Sequence, residues 1–430
     1  MNAHTLKFNS LIDYCDFDYI PVGLHLKYEK YIDEPSEELV CRKFLDELFD
    51  QYQIPELVRI NLTNAIKEIE QDEQLFLFTR FLVKQLMKAR NSFDPVPYNN
   101  MTPNCMKQYG DLYSFIVLIA CIKPSLDQVK LRGIPQSYYE AIPHKPLKMQ
   151  FEKLVINNDP IVSDFPWDLN FYTCSIFLLD RFLFIPHKFE DSFTMYRNQV
   201  SHRVIALKHA GVQYRRDGQQ NGINDVVDQF AFTTTWVEQA DTITAHKINP
   251  MGFVEQQSTS IDAKEWKPAL QQGNLLLALH IPAGPGYTPE RLKSSMSLAL
   301  QFFDKYYPEM NFKGFWSASW LYDTRLSLVL DNKNSNIVKV QRQFFIYPTN
   351  DGDQMLRYEL FGSRTADPLN DNVEISTSLQ RAAVEYMKQG GRFNTLSMVF
   401  LRDEVQLIGE KPYITDEDIK HFERVVDTHL

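Results

Sequence analysis

Between Asn274 and Pro308 the chain reads NLLLALHIPAGPGYTPERLKSSMSLALQFFDKYYP, and its chemistry lies in the residues that interrupt the apolar run. Leu275 to Ile281 is apolar on nearly consecutive positions, the pattern of a strand covered on both faces. Ala283-Gly284-Pro285-Gly286 breaks it in a tight turn. Thr288-Pro289 then opens a helix: the hydroxyl can accept from a free main-chain N–H, and proline sits where its missing donor costs nothing. Leu292, Met296, Leu298, Ala299, Phe302 and Phe303 follow at roughly helical spacing. A helix start against a glycine turn, at the carboxyl end of a buried strand, suits an anion, because unpaired N–H groups and the positive end of the helix dipole converge there. An ordinary strand-to-helix connection carries the same punctuation, so both readings stand.

The elements that must hold this turn divide the chain into two styles. A length of 430 residues is too great for one small core, and a prior of roughly 150 residues per domain suggests two or three. Only Gly23, Gly110 and Gly133 fall in the first 200 residues. There the apolar residues repeat helically: Glu37 to Tyr52, with Ser36 as its cap, then Pro55 to Ile69, Gln74 to Lys88 and Asp111 to Ile122. Beyond Pro166 strands are predicted at Arg181 to Phe189, Val204 to His209, Phe230 to Val237, Thr242 to Ile248, Phe312 to Leu321, Phe344 to Tyr347 and Thr395 to Leu401. The predicted class is α+β, with a helical domain over 1–162 followed by a mixed sheet with flanking helices over 163–430.

A net charge of −10 argues against a nucleic-acid surface, which needs a basic stripe to displace counterions. Five scattered cysteines without CxxC pairs fit a reducing compartment and no zinc site. The amino terminus lacks a basic start followed by an apolar block, so no secretory leader is expected. The longest largely apolar run, Tyr113 to Ile122, is about half the roughly 20 residues of a membrane span and reads as a buried helix. A cytoplasmic location is expected, with no metal and neither nucleic acid nor membrane as partner. The oligomeric state is open.

The order strand, glycine turn, helix, strand, helix, strand over Leu275 to Tyr347 resembles the acyl-CoA-binding core of the GNAT superfamily of N-acyltransferases. LHIPAG at Leu279 to Gly284, FWSASWLYD at Phe315 to Asp323, SNIVKVQRQF at Ser335 to Phe344 and TSLQRAAVEYMKQGG at Thr377 to Gly391 resemble a bacterial two-domain acyltransferase-like family, in which a helical N-terminal domain precedes a GNAT-like C-terminal domain. LRGIPQSYYEAI at Leu131 to Ile142 and DLNFYTCSIFLLDRFLF at Asp168 to Phe184 extend the resemblance toward the N-terminus.

The resemblance implies acetyl-CoA or another acyl-CoA as co-substrate, and a small-molecule or peptide amine as acceptor. The pantetheine arm would pair with main chain near Leu279 to Ile281, with the diphosphate over Ala283 to Gly286 and the N–H groups of Gly284, Gly286, Tyr287 and Thr288 as donors. His280 would take the proton of the attacking amine, or is a buried histidine with satisfied bonds. Ser319 or Ser317 would donate to substrate or thiolate, or is a small residue in a packed sheet. Asn336 would touch the cofactor or cap its helix, and Asp323 would bind the amine or cap a helix. Two positions depart from the superfamily pattern: Ile281 stands where Arg or Gln usually opens the loop, and Gln343 where a tyrosine usually protonates the thiolate. The alternative is therefore a catalytically inactive module of the same fold that binds a CoA ester or another anion.

Overall fold

The apolar periodicity of the first 180 residues folds as helices, and that of the remainder as two sheets with helices against them. The computed structural model describes residues 3–33, 37–92, 96–156, 161–331, 333–370 and 373–429. It separates into two units, Met1–Leu178 and Leu179–Leu430.

The first unit contains α1 (Ala3–Cys15), α2 (Leu24–Tyr28), α3 (Arg42–Gln51), α4 (Glu56–Gln71), α5 (Glu73–Ser92), α6 (Tyr113–Leu131), α7 (His144–Ile156) and α8 (Phe165–Tyr172). Helix α6 packs against α4, α5 and α8. Every residue from Tyr113 to Ile122 is buried, as the sequence predicts for a core helix. The span Gly110–Leu131 is long and apolar enough to cross a membrane, and 67% of its most apolar window is buried inside the structure. Phe8, Tyr28, Phe78 and Phe81 pack as an aromatic cluster with ring centroids 5.0–6.4 Å apart. Such offset and edge-on pairs add to the area they bury. Helix α3 starts at Arg42 rather than Glu37, with Cys41 at its N-cap. The predicted cap Ser36 lies outside the described residues.

The second unit is built from strands. In chain order these are β1 (Phe177–Leu179, which straddles the unit boundary), β2 (Phe182–Lys188), β3 (Phe193–Asn198), β4 (Val204–Lys208), β5 (Gln213–Tyr214), β6 (Phe232–Thr233), β7 (Trp236–Gln239), β8 (Thr242–Asn249), β9 (Phe253–Asp262), β10 (Trp266–Leu270), β11 (Leu275–His280), β12 (Phe312–Ser319), β13 (Phe345–Pro348) and β14 (Leu396–Leu401). Its α-helices are α9 (Pro289–Tyr306), α10 (Leu326–Val329), α11 (Asn336–Gln341), α12 (Gln354–Phe361), α13 (Ser378–Lys388) and α14 (Asp416–His429). One sheet has the order β1-β2-β11-β12-β14-β13. Its central pair, β11 and β12, is parallel and joined through α9; the neighbours β2 and β14 run antiparallel to it. A helical first unit and a mixed sheet with flanking helices give the predicted α+β class.

Between β2 and β11 the chain builds a second, antiparallel sheet, β10-β3-β4-β8-β7, with β9 also on β8. Tyr196, Ile205, Leu207, Ile243, Ala245 and Ile261 form its small core. Strands β1, β3, β5, β9 and β10 are not among those predicted. In β9 the sequence FVEQQSTSID is polar and mostly exposed in its middle, so no two-residue alternation marks it.

Candidate active site

The glycine turn is built as the sequence suggests, and a distant residue braces it. Thr288 caps α9 by accepting from Arg291 N–H at 3.3 Å, and Pro289 occupies the first helical position. Gly284 and Gly286 take φ of 115° and 93°, a region costly for any residue with a Cβ. Arg181, in the β1–β2 turn, reaches across to three carbonyls of this loop. Its Nε donates to Pro285 O at 2.7 Å, and its Nη2 to Pro282 O at 2.6 Å and to Gly284 O at 2.9 Å. The same β1–β2 turn is tied to α9, because Asp180 pairs with Arg291 at 2.6 Å and Ser295 Oγ accepts from Arg181 N–H at 3.0 Å.

This brace aims the loop. In a trans peptide the carbonyl and the next N–H point in opposite directions. Carbonyls of Pro282 and Pro285 drawn to the guanidinium therefore turn the N–H groups of Ala283 and Gly286 away from it. Among the described residues no acceptor lies against the N–H of Ala283, Gly284, Gly286 or Tyr287. Ala283 and Gly284 are exposed and Gly286 half-buried.

The helix start itself is already filled, which corrects the predicted role of Thr288. Its N–H donates to Gly286 O at 3.0 Å. Pro289 has none. The carboxylate of Glu290 is held below its usual range by its own N–H and by the Thr288 hydroxyl. The open donors are those of the turn, Ala283 to Tyr287, with the Arg181 charge behind them.

A gap opens beside the turn. The β11–β12 ladder pairs Leu275 with Phe312, Leu277 with Phe315 and Ala278 with Trp316, and stops. Beyond it Leu279 and His280 pair with Phe184 and Leu183 of β2, and Ser317 to Ser319 pair with β14. Among the described residues the β11–β12 ladder thus ends before Leu279, whose edge toward β12 carries no strand. A bulge in β12 between Phe312 and Phe315 precedes this splay, and there Gly314 lets β14 approach so closely that a Cβ would sit 2.2 Å from Phe400 O.

The registers place Leu183, His280, Trp316 and Ala318 on one face of the gap, and Leu279, Ser317 and Ser319 on the other. On the first face His187 stacks on Trp316 with centroids 4.2 Å apart and planes 17° apart. Trp316 Nε1 donates to Tyr347 Oη at 2.8 Å, and that hydroxyl donates to Asp191 Oδ2 at 2.6 Å. Burial raises the Asp191 carboxyl and pushes the Lys208 amine down to about 8. His280 is half-buried at the end of β11.

On the second face the buried hydroxyl of Tyr322 lies near Ser317 and near the buried hydroxyl of Tyr287. Each phenol perturbs the other's ionisation, yet neither hydroxyl has a partner in hydrogen-bonding geometry. Burial raises both well above 10, so each stays a neutral donor at ordinary pH.

Other predicted residues are committed locally. Ser319 Oγ accepts from Leu321 N–H at 3.1 Å, capping a 3-10 turn that also takes Trp320 out of the predicted strand. Asn336 is the exposed first residue of the six-residue α11, which Ser335 caps. Asp323 is fully buried and accepts from Arg325 N–H at 3.0 Å and Asn394 N–H at 2.7 Å, so it caps no helix. Leu279 is buried and Ile281 half-buried past the end of β11. Sequence reasoning missed Arg181, the hydroxyls of Tyr287 and Tyr322, and the His187–Trp316 stack. Each acquires its neighbours only through the fold.

No curated protein sequence matches the chain. Residues 171–400, more than half of it, match the model of the GNAT-like C-terminal domain. Among solved structures it is similar to an acyltransferase in complex with decanoyl-CoA and teicoplanin, at 15% identity and a TM-score of 0.51, over 91% of this chain and 98% of that one. An acyltransferase mutant in complex with octanoyl-CoA gives the same values. An acyltransferase in complex with decanoyl-CoA is similar at 14% identity and a TM-score of 0.52, with the same coverage. By the extent of the match over the sheet that carries the turn and the gap, the chain belongs to the family with the GNAT-like C-terminal domain.

Proposed function

We propose that the protein is an acyl-CoA-dependent N-acyltransferase that moves an acyl group from the CoA thioester to an amine. One observation carries this reading: outward N–H groups at Ala283 to Tyr287 lie directly beside a strand edge that has lost its partner. The turn is a cradle for diphosphate, and the edge of Leu279 past the end of the β11–β12 ladder pairs with the pantetheine amides as an added strand. The acyl-CoA bound in the similar acyltransferases supports the same class of co-substrate here. Their decanoyl and octanoyl chains make a medium-length acyl group the first to test.

Transfer then needs three things from the chain. A main-chain N–H near Leu279 to Ile281 stabilises the oxyanion as the amine attacks the thioester carbon. His280 accepts the proton that the amine nitrogen loses. The carbon–sulfur bond breaks, and the thiolate takes a proton from the Tyr322 or Tyr287 hydroxyl, the buried donors beside the gap that lack partners. These phenols fill the role that Gln343 cannot. The acceptor amine is carried by a small molecule or a peptide; the teicoplanin complex of a similar structure supports a peptide-like acceptor.

The test is thiol release from decanoyl-CoA and acetyl-CoA, with and without amine acceptors, alongside thermal unfolding. Ligand at about 100 times its Kd should contribute on the order of 2.7 kcal/mol. An upward shift with amine-dependent thiol release is expected. A shift without release identifies a binding module instead, and no shift with any CoA ester removes the reading.

A further inference from the structure

The second unit holds another built cavity, unrelated to the glycine turn. It lies between the loop after β12, the Gly390-Gly391 turn before β14, the β5 loop and helix α14, with a volume of about 280 Å³. That is near the lower end of small-molecule pockets, roughly 300–1,000 Å³. Three guanidiniums line it, those of Arg215, Arg325 and Arg392, alongside apolar walls that include Phe253 and Phe422.

The charges do not close on themselves. Arg215 is committed, because its Nε and Nη2 bond to both oxygens of Asp217 at 3.2 and 3.0 Å and its Nη1 donates to Ile223 O at 3.4 Å. Arg325 is 9% exposed yet poorly paired. Its contacts are 3.4 Å to each oxygen of Asp323 and 3.8 Å to Asp217, whereas a charged pair in good geometry lies at about 2.7–2.9 Å. With the Asn394 amide turned over, its oxygen accepts from Arg325 Nη1 at 3.2 Å, a neutral partner only. Asp323 meanwhile spends itself on the N–H groups of Arg325 and Asn394. Among the lining residues and Asp323, three guanidiniums face two carboxylates, Asp217 and Asp323. A buried guanidinium with long contacts stands to gain from a planar anion able to accept two parallel N–H bonds.

We infer that this cavity binds a small oxyanion ligand, a carboxylate or phosphate monoanion, between Arg325 and Arg392. The apolar walls accept the rest of a compact organic acid. The binding is independent of the acyl-transfer reading.

The test is thermal unfolding and titration calorimetry of the full chain with sodium acetate and with inorganic phosphate, chloride being varied to hold ionic strength constant. Saturable binding of one of these anions is expected, and comparison of the two separates carboxylate from phosphate. Arg392→Gln, at an exposed position, should weaken it about tenfold, and Arg325→Gln should abolish it. If Arg325→Gln does not fold, Val426→Trp, which fills the cavity, takes its place and should also abolish it. An Arg181→Ala protein should keep the response, since a phosphate response lost there belongs to the glycine turn and overturns the inference. So does the absence of saturable binding by both anions, or an unchanged affinity in Arg392→Gln.

Discussion

Replacing Arg181 by alanine removes the guanidinium that braces three carbonyls of the glycine turn. A hydrogen bond from a charged donor contributes roughly 1.5–3 kcal/mol net. Arg181 makes three, but they share two nitrogens and one loop, and the side chain is half-buried. Solvent screening reduces the set to about 1.5–2 kcal/mol. That energy keeps the Ala283 and Gly286 amides outward before any ligand arrives, so its loss appears as an ordering cost on binding. At 1.4 kcal/mol per tenfold, the Kd for acyl-CoA should rise roughly 10- to 30-fold. The assay is titration calorimetry with decanoyl-CoA at two ionic strengths. Because the Asp180–Arg291 pair survives the substitution, the unliganded protein should lose only a few degrees of unfolding temperature, the scale being about 2–4 °C per kcal/mol for a unit of roughly 150–250 residues and less for a longer chain. Arg181→Lys keeps the charge without the planar fork and should fall between. An Arg181→Ala protein that binds decanoyl-CoA within twofold of the original would refute the bracing role.

Further outcomes follow from the same geometry. His280→Gln should lower kcat about 10²- to 10⁴-fold with little change in the Kd for acyl-CoA, measured by thiol release and calorimetry. Tyr322→Phe removes a buried hydroxyl without a partner, whose desolvation costs about 1–3 kcal/mol, so the unfolding temperature should hold or rise while kcat falls. A less stable variant with full turnover would show the hydroxyl to be structural instead. Lys208 titrates near 8 when folded, below the ordinary 10.5, because it is buried. Below about 8 both states hold the proton and the burial penalty is constant; above it the unfolded chain binds more protons, so stability should rise with pH. Denaturant midpoints between pH 8 and 9.5 should show that rise, and Lys208→Met should flatten it.

What the sequence announces is local chemistry. Gly284, Gly286, Thr288 and Pro289 each state a backbone requirement, and all four sit as that requirement demands. The apolar runs of β11 and β12 and the core helix α6 are equally plain. The brace is invisible because Arg181 lies about a hundred positions from the loop it holds, in a turn of no particular signature. Competition for donors is hidden too. Nothing in the string Gly286-Tyr287-Thr288-Pro289-Glu290 shows that the Thr288 amide folds back on Gly286, or that Glu290 turns onto its own N–H. Much of the second sheet escapes notice for a different reason: β9 is held by its pairing with β8, not by an apolar face.

Amide NMR of protein labelled with ¹⁵N only at glycine tests the cradle most directly, since the chain has 16 glycines and two of them lie in the turn. On titration with decanoyl-CoA, the Gly284 and Gly286 resonances, assigned by single substitution, should move together and saturate with the calorimetric Kd. Binding that leaves both unmoved would place the diphosphate elsewhere and contradict the assignment of this turn.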